Sequence, residues 1–216
     1  MEFKFYEHTI AFSIIKPNDW SIVTPIKIQE YPWYESGKKQ DTQIFLAHNG
    51  QTLWLHILAS DNYSFASRTE LNTDVCNDSC VEFFFSPRKE RDSIYFNAEV
   101  NCIGTPHLAY GPDRNTRILS TPQQAASLNV EPQIKATSKI ETPYDESWSV
   151  DFEINLEMIQ SWSGEELSLS DYWWANFFRC GGNIEPQYAS WNPIITENPD
   201  YHRPDQFGKL IFAPQS

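Results

Sequence analysis

From Ser147 to Asn155 apolar and polar residues alternate without a break: Trp148, Val150, Phe152 and Ile154 are set against Ser149, Asp151, Glu153 and Asn155. A period of two sends the first set to one face of an extended strand and the second set to the other, so this segment is satisfied only in a sheet with one face on a core. The same pattern runs from Ser93 to Cys102. There Ile94, Phe96, Ala98, Val100 and Cys102 point one way, and Tyr95, Asn97, Glu99 and Asn101 the other. Val81–Ser86 precedes it across the short charged turn Pro87–Asp92, which reads as a hairpin. A second hairpin joins Gln43–His48 to Gln51–Ser60 through Asn49-Gly50, a pair that readily takes the two positive φ angles of a type I′ turn. Further strands are expected at Ile10–Ile15, Val23–Ile28, Gln133–Ile140, Tyr172–Cys180 and Lys209–Phe212.

Helix signals are few. Thr121-Pro122-Gln123-Gln124 offers an N-cap, a proline at the first helical position and Gln at the third, and Leu156–Trp162 forms at most a few turns closed by Ser163-Gly164. With no βαβ alternation, the pattern predicts an all-β fold: a single-domain antiparallel β-sandwich of two packed sheets with one or two short helices, spanning residues 1–216. The long loop regions near 61–79 and 181–207 are rich in turn formers and aromatic residues, and read as ordered loops rather than linkers.

Charge narrows the partners. Lys and Arg number 16 against 29 Asp and Glu, a formal charge of −13, so the chain gains nothing from a phosphate backbone and is repelled by anionic lipid. Neither nucleic acid nor a membrane is an expected partner. No apolar run approaches the ~20 residues that span a bilayer, and Met1–Trp20 lacks the charged and apolar regions of a secretory signal. The expected compartment is the cytoplasm, or the periplasm or exterior if the natural chain begins earlier.

Motifs of nucleophilic hydrolases, zincins, nucleotide triphosphatases and dinucleotide enzymes are absent from the sequence. Cys76, Cys80, Cys102 and Cys180 do not have zinc-ribbon spacing, and buried free thiols are the expectation; Cys102 is in phase with an apolar strand face. Asp74, Asn77 and Asp78, followed by Glu82, collect hard oxygen ligands suited to a structural calcium ion. His202 sits in a loop dense with polar and aromatic residues. Glu82, Glu99, Asp151 and Glu153 lie on polar strand faces, where a pair about 5–9 Å apart is what glycoside hydrolysis requires. The 8 Trp, 10 Tyr and 14 Phe exceed what a core needs. Those set among turn formers, Tyr31, Trp33, Tyr34, Tyr188, Trp191 and Tyr201, are costly to leave in water and suit the C–H faces of sugar rings.

Five segments in order, Asp78–Phe84 (DSCVEFF), Asn101–Thr105 (NCIGT), Trp174–Cys180 (WANFFRC), Trp191-Asn192-Pro193 and His202–Gly208 (HRPDQFG), together resemble the family 9 carbohydrate-binding modules and their stand-alone relatives over about residues 20–213. The resemblance implies a β-sandwich with structural calcium that binds a mono- or oligosaccharide between two Trp rings, as an accessory to glycan-degrading enzymes. It implies that Glu82 and Asn101 lie at the sugar site and that Trp191 is one stacking ring; the reading of the residues themselves adds Arg179, Trp33, Tyr188, Glu99 and His202 as further candidates. Cys76 stands where relatives carry the Trp of a Trp-Glu-Asp-Ser segment. A non-catalytic carbohydrate-binding protein in glycan utilisation is therefore expected. The alternatives are a glycoside hydrolase using a carboxylate pair, or a haem-binding relative of the same sandwich with Met1 or Met158 as axial ligand.

Overall fold

A computed structural model of the chain describes residues 5–91, 94–134, 140–145 and 147–215. Its strands are β1 (Glu7–Phe12), β2 (Ile26–Ile28), β3 (Thr42–His48), β4 (Thr52–Ser60), β5 (Cys80–Ser86), β6 (Tyr95–Asn101), β7 (Pro106–Gly111), β8 (Ile118–Leu119), β9 (Glu131–Pro132), β10 (Ser147–Asn155), β11 (Tyr172–Gly181), β12 (Gln187–Ser190) and β13 (Gly208–Phe212). One sheet runs β8-β7-β6-β5-β11-β13-β1 with β12 added on β11, and the other runs β1-β3-β4-β10-β9 with β2 added on β3. The expected β-sandwich is formed.

It is not antiparallel throughout. Glu7–Ile10 of β1 pair in parallel with Lys209–Phe212, and Ala11–Phe12 pair in parallel with Ala47–His48, so β1 leaves one sheet and enters the other. The first strand thus pairs with the last, and the edge each sheet would otherwise expose there is closed.

The alternation at Ser147–Asn155 becomes β10 to the residue, with Trp148, Val150, Phe152 and Ile154 buried between the sheets. Opposite them, Phe83 stacks on Phe177 at 4.7 Å, and Phe85 lies 5.1 Å from both Phe96 and Trp173. The β3–β4 hairpin forms with a different turn. Gly50 has φ +88° and Asn49 is not in the left-handed region; the Asn49 N–H donates to the Thr52 carbonyl at 3.2 Å, so Gly50-Gln51 make the bend. A glycine at the first central position is the type II′ arrangement. The Asn49 side chain accepts from the Gln51 and Thr52 amides instead. α1 (Pro122–Ala126) carries the full capping box at Thr121 and Gln124, and α2 (Leu156–Ser163) ends on Gly164 at φ +72°. Of the strand expected at Gln133–Ile140, residues 135–139 lie outside the described residues, as do Asp92 and Ser93 of the second hairpin. Strands β7, β8 and β12 had no clear sequence signal. Among the described residues no helix is long and apolar enough to cross a membrane.

The sheet containing β5, β6 and β11 is buried on both faces. Val81, Phe83 and Phe85 enter the inter-sheet core, while Cys80 and Phe84 join Tyr95, Phe178, Cys180 and Phe207 in a second cluster on the outer face. The loops 61–79 and 191–207 cover that outer face, which is why β5 reads as a continuous apolar run broken mainly by Glu82.

Arg179 belongs to the inner face. Its guanidinium donates to Asp61 at 2.6 Å and to the carbonyls of Cys80 and Cys180, and lies 5.1 Å over the Trp148 ring. Asp61 also accepts from Ser79 at 2.6 Å and Trp148 at 2.9 Å. Burial alone would raise the Asp61 carboxyl, but Arg179 and these donors outweigh it and hold the group below its usual range. Removing one member of a buried pair strands the other charge. Asp61→Ala is therefore expected to cost about 3–5 kcal/mol in urea unfolding, with part regained in Asp61→Ala/Arg179→Met. Arg179→Met added to Asp61→Ala without any recovery would contradict this account.

Candidate functional site

Strand register assembles the site. In the β5–β6 pair Glu82 stands opposite Glu99, and in the β6–β7 pair Glu99 stands opposite His107. Phe178 of β11 stands opposite Glu82. Directly paired residues share a face, so Phe178, Glu82, Glu99 and His107 form one lateral row across four strands on the outer face. Loops bring the walls: Asp74, Cys76 and Asn77 from the turn before β5, Arg114 and Arg117 from the segment after β7, Tyr188 from β12, and Pro199, Tyr201 and His202 from the loop before β13. With Cys180 they enclose a cavity of about 290 Å³, at the lower end of the range for small-molecule sites (~300–1,000 Å³).

The floor is acidic and buried. Burial first, and the Glu99 carboxylate second, push Glu82 well above the usual carboxylate range. Burial also raises Glu99, against the pull of His107, Arg117 and a hydrogen bond from Asn97 at 2.8 Å. Arg117 comes within 3.7 Å of Glu99. The Cys180 thiol donates to Glu82 Oε1 at 2.9 Å. Gly181, at φ +100°, allows this end of β11 to reach the loop: a Cβ there would lie 1.7 Å from the Asp78 carbonyl oxygen. The walls carry rings. Tyr201 stacks on Phe178 at 4.0 Å, and Tyr188 is 42% exposed at the mouth. His202 Nδ1 meets the Tyr95 hydroxyl at 2.6 Å.

Of the residues singled out from sequence, Glu82, Glu99, Tyr188 and His202 meet in this cavity together with Asp74 and Asn77. Four assignments need correction. Trp191 is 5% exposed and packs in the core against Phe177, and a Cβ on Gly208 would touch its ring. Its ring is a packing element and not a wall of the cavity. Asn101 is fully buried: its amide donates to the Arg68 carbonyl and to Asp78, and its oxygen accepts from the Thr105 N–H, which leaves no group for a ligand. Arg179 faces the core because period two places its neighbours Phe178 and Cys180 on the outer face. Trp33 donates to the Thr196 carbonyl at 3.0 Å and packs on Tyr201 from behind; it lines an adjoining groove with Tyr31, Tyr34 and Tyr188.

Of the expected calcium set, Asp74 and Asn77 line the cavity and Asp78 does not. The Asp78 carboxylate accepts from five donors, the amides of Ser67 and Arg68, the Ser67 hydroxyl, the Arg68 guanidinium and Asn101. Its charge is paired with Arg68 at 2.9 Å. Met158 packs against the core on α2 and Met1 lies outside the described residues. Tyr201, one of the loop aromatics, also lines the cavity, whereas His107, Arg114, Arg117 and Cys180 were missed as site residues. For His107 a signal existed, since Leu108 and Tyr110 alternate with His107 and Ala109, but the strand itself had not been recognised.

A β-sandwich with a polar, ring-walled pocket roofed onto one outer face is the architecture these residues define. The sequence profile described as "Carbohydrate-binding family 9" matches residues 19–212, and the chain belongs to that family. No curated protein matches it. Among solved structures, a candidate carbohydrate-binding protein from Bacteroides uniformis ATCC 8492 is 22% identical, with a TM-score of 0.86 over 97% of this chain and 100% of that one. A family 9 carbohydrate-binding module from Caldicellulosiruptor kristjanssonii is 10% identical in each of two structures. In complex with glucose the TM-score is 0.60 over 98% of this chain and 97% of that one, and in complex with cellotriose it is 0.65 over 98% and 95%.

Burial above all, then Arg114, Arg117 and His107, push His202 down to about 3. In the unfolded chain a histidine titrates near 6.5, so between those values the unfolded state binds a proton that the folded state refuses. The stability linked to His202 is complete above about pH 6.5 and is lost as pH falls toward 3. His202→Gln should flatten the fall in unfolding free energy between about pH 6.5 and 4 relative to the parent chain. Equal slopes in denaturant titrations would contradict the buried neutral state.

Proposed function

We propose that the chain is a non-catalytic carbohydrate-binding protein of glycan utilisation, and that it takes a mono- or short oligosaccharide in the pocket over Glu82, Glu99 and His107. The observation that carries this reading is the juxtaposition of a ring at the mouth, Tyr188, with a closed floor of carboxyl, imidazole and guanidinium groups. A sugar presents apolar C–H faces to the first and hydroxyls, each both donor and acceptor, to the second. The complexes of the Caldicellulosiruptor relative with glucose and cellotriose support the ligand class.

The arrangement proposed here differs from a pair of Trp rings. Cys76 stands at the wall where relatives carry Trp, and Trp191 is in the core, so stacking falls to Tyr188, with Tyr201 beneath. A small cavity favours one sugar unit at the floor. Further units would extend past Tyr188 toward the groove of Tyr31, Trp33 and Tyr34.

Hydrolysis is the second reading, favoured by two buried carboxyls in register. Glu82 and Glu99 stand side by side on one floor, whereas hydrolysis requires carboxyls flanking the glycosidic bond; this favours binding over cleavage.

Titration of a panel of mono- and oligosaccharides by calorimetry should show saturable binding to at least one. Glu82→Gln and Tyr188→Ala should each weaken it about tenfold, or ~1.4 kcal/mol, with melting temperature little changed for Tyr188→Ala. Trp191→Ala should instead lower stability by about 3–5 kcal/mol. No heat and no thermal shift with any sugar would remove the proposal, and release of product from chromogenic glycosides would replace it with the hydrolytic reading.

A further inference from the structure

Strands β5 and β11 run antiparallel with Cys80 directly opposite Cys180. Paired residues project to one face, and Glu82, two residues on from Cys80, projects there too. As a result the two sulfur atoms and a Glu82 carboxylate oxygen all lie within 4.8 Å of one another. All three residues are buried, yet Glu82 and Cys180 form part of the cavity floor, so the group can be reached through the pocket. Cys76 stands on the cavity wall above it as an exposed thiol. Cys102, the remaining thiol, is on the opposite face of its strand, 3.8 Å from the Phe65 carbonyl.

A second observation points to a ligand in the same cavity, two strands across from Glu82. His107 is 5% exposed, and its Nδ1 meets the Thr73 carbonyl at 3.2 Å. Its Nε2 has no hydrogen-bond partner, although the residue lines the cavity. A buried polar atom of this kind is costly unless something fills the space before it.

We propose that the pocket floor is a binding site for one zinc-type divalent cation, held by the sulfurs of Cys80 and Cys180 and the carboxylate of Glu82, with the fourth position open to the cavity. A tetrahedral site with Zn–S near 2.3 Å sets neighbouring sulfurs about 3.8 Å apart, so the sulfurs, within 4.8 Å of each other, have to close by at most about 1 Å, while the Cys180 sulfur and the Glu82 oxygen, now hydrogen-bonded at 2.9 Å, have to part slightly as the thiol proton leaves. Two thiolates select a soft or borderline cation over calcium or magnesium, which prefer oxygen. Three protein ligands with an open fourth position is the form taken by sites at which the metal meets an outside molecule. Here that position faces Cys76 and the space assigned to the sugar. The metal site shares Glu82 with the proposed sugar site but does not rest on that reading.

The test uses the reduced full-length chain, freed of metal with a chelator and titrated with Co²⁺ or Zn²⁺ in the absence of sugar. One equivalent of Co²⁺ should bind with thiolate-to-metal charge-transfer absorption in the near ultraviolet, and Zn²⁺ should displace it. Cys180→Ser and Cys80→Ser should lose that band, whereas Cys102→Ser should keep it. Should the serine variants fail to fold, the parent spectrum and a weakened affinity in Glu82→Gln carry the test. Absence of saturable binding with a thiolate band in the parent chain overturns the proposal, as does an unchanged band in Cys180→Ser. Two thiols that appear only on reduction, in a reduced protein that takes up no metal, would identify a cross-strand disulfide instead and overturn it too. Because no sugar is present, these outcomes are separate from those of the glycan panel.

Discussion

The pairing register of β5 with its two neighbours decides nearly everything about the outer face. With Cys80 against Cys180 and Glu82 against Glu99, every second residue of β5 enters the core and the remainder faces the outer side, Glu82 onto the pocket and Phe84 into the cluster beside it. A slip of one residue on either side would exchange those sets, burying Glu82 in the inter-sheet core and sending Phe83 into the cavity. The Phe83–Phe177 and Phe85–Trp173 stacks lock the register from the core side, since the rings that stack are on strands that must be aligned to bring them together. Core packing on one face therefore positions the chemistry on the other.

Period-two alternation made much of the fold legible: β10 and the facing of β6 follow from it directly, as do Glu82 and Glu99 as polar groups on strands. What could not be read was the cover. An alternating strand implies a wet polar face, and here the loops 61–79 and 191–207 lie over it, turning an exposed face into a buried one. That change is what raises Glu82 and Glu99 and neutralises His202. Short strands such as β8 and β12, two and four residues long, carry too few periods to register, and the parallel pairings of β1 are non-local and leave no local trace.

Assigning individual residues failed for physical reasons that differ in each case. Arg179 was decidable: it lies between Phe178 and Cys180, and the alternation that sends those outward sends Arg179 inward to Asp61. Trp191 was not, because an aromatic residue in a Pro-rich loop can sit over a ligand or be driven into a core, and only the tertiary packing against Phe177 separates the two. Asn101 was expected at the site from the family resemblance, and Asp78 from its place in a run of oxygen ligands with Asp74 and Asn77. They serve each other and the Ser67–Arg68 backbone instead, holding the 61–79 loop against β5 so that Asp74, Cys76 and Asn77 reach the cavity.

The excess negative charge acquires a local meaning inside the pocket. Glu82, Glu99 and Asp74 face Arg114 and Arg117 across a small volume, so the cavity has an acidic floor and a basic side rather than a single sign. A neutral polyol is suited to such a field, since its hydroxyl groups donate toward the carboxyls and accept from the guanidinium groups without adding charge. An anionic ligand would instead have to approach the floor carboxyls, and a free organic cation would meet the two arginines. A compact metal ion would escape that conflict, because the sulfur atoms of Cys80 and Cys180 lie on the β11 side of Glu82, with the arginines beyond Glu99. The same geometry that makes the pocket mouth indifferent to charge thus leaves its deepest corner as the place where a single cation is best compensated.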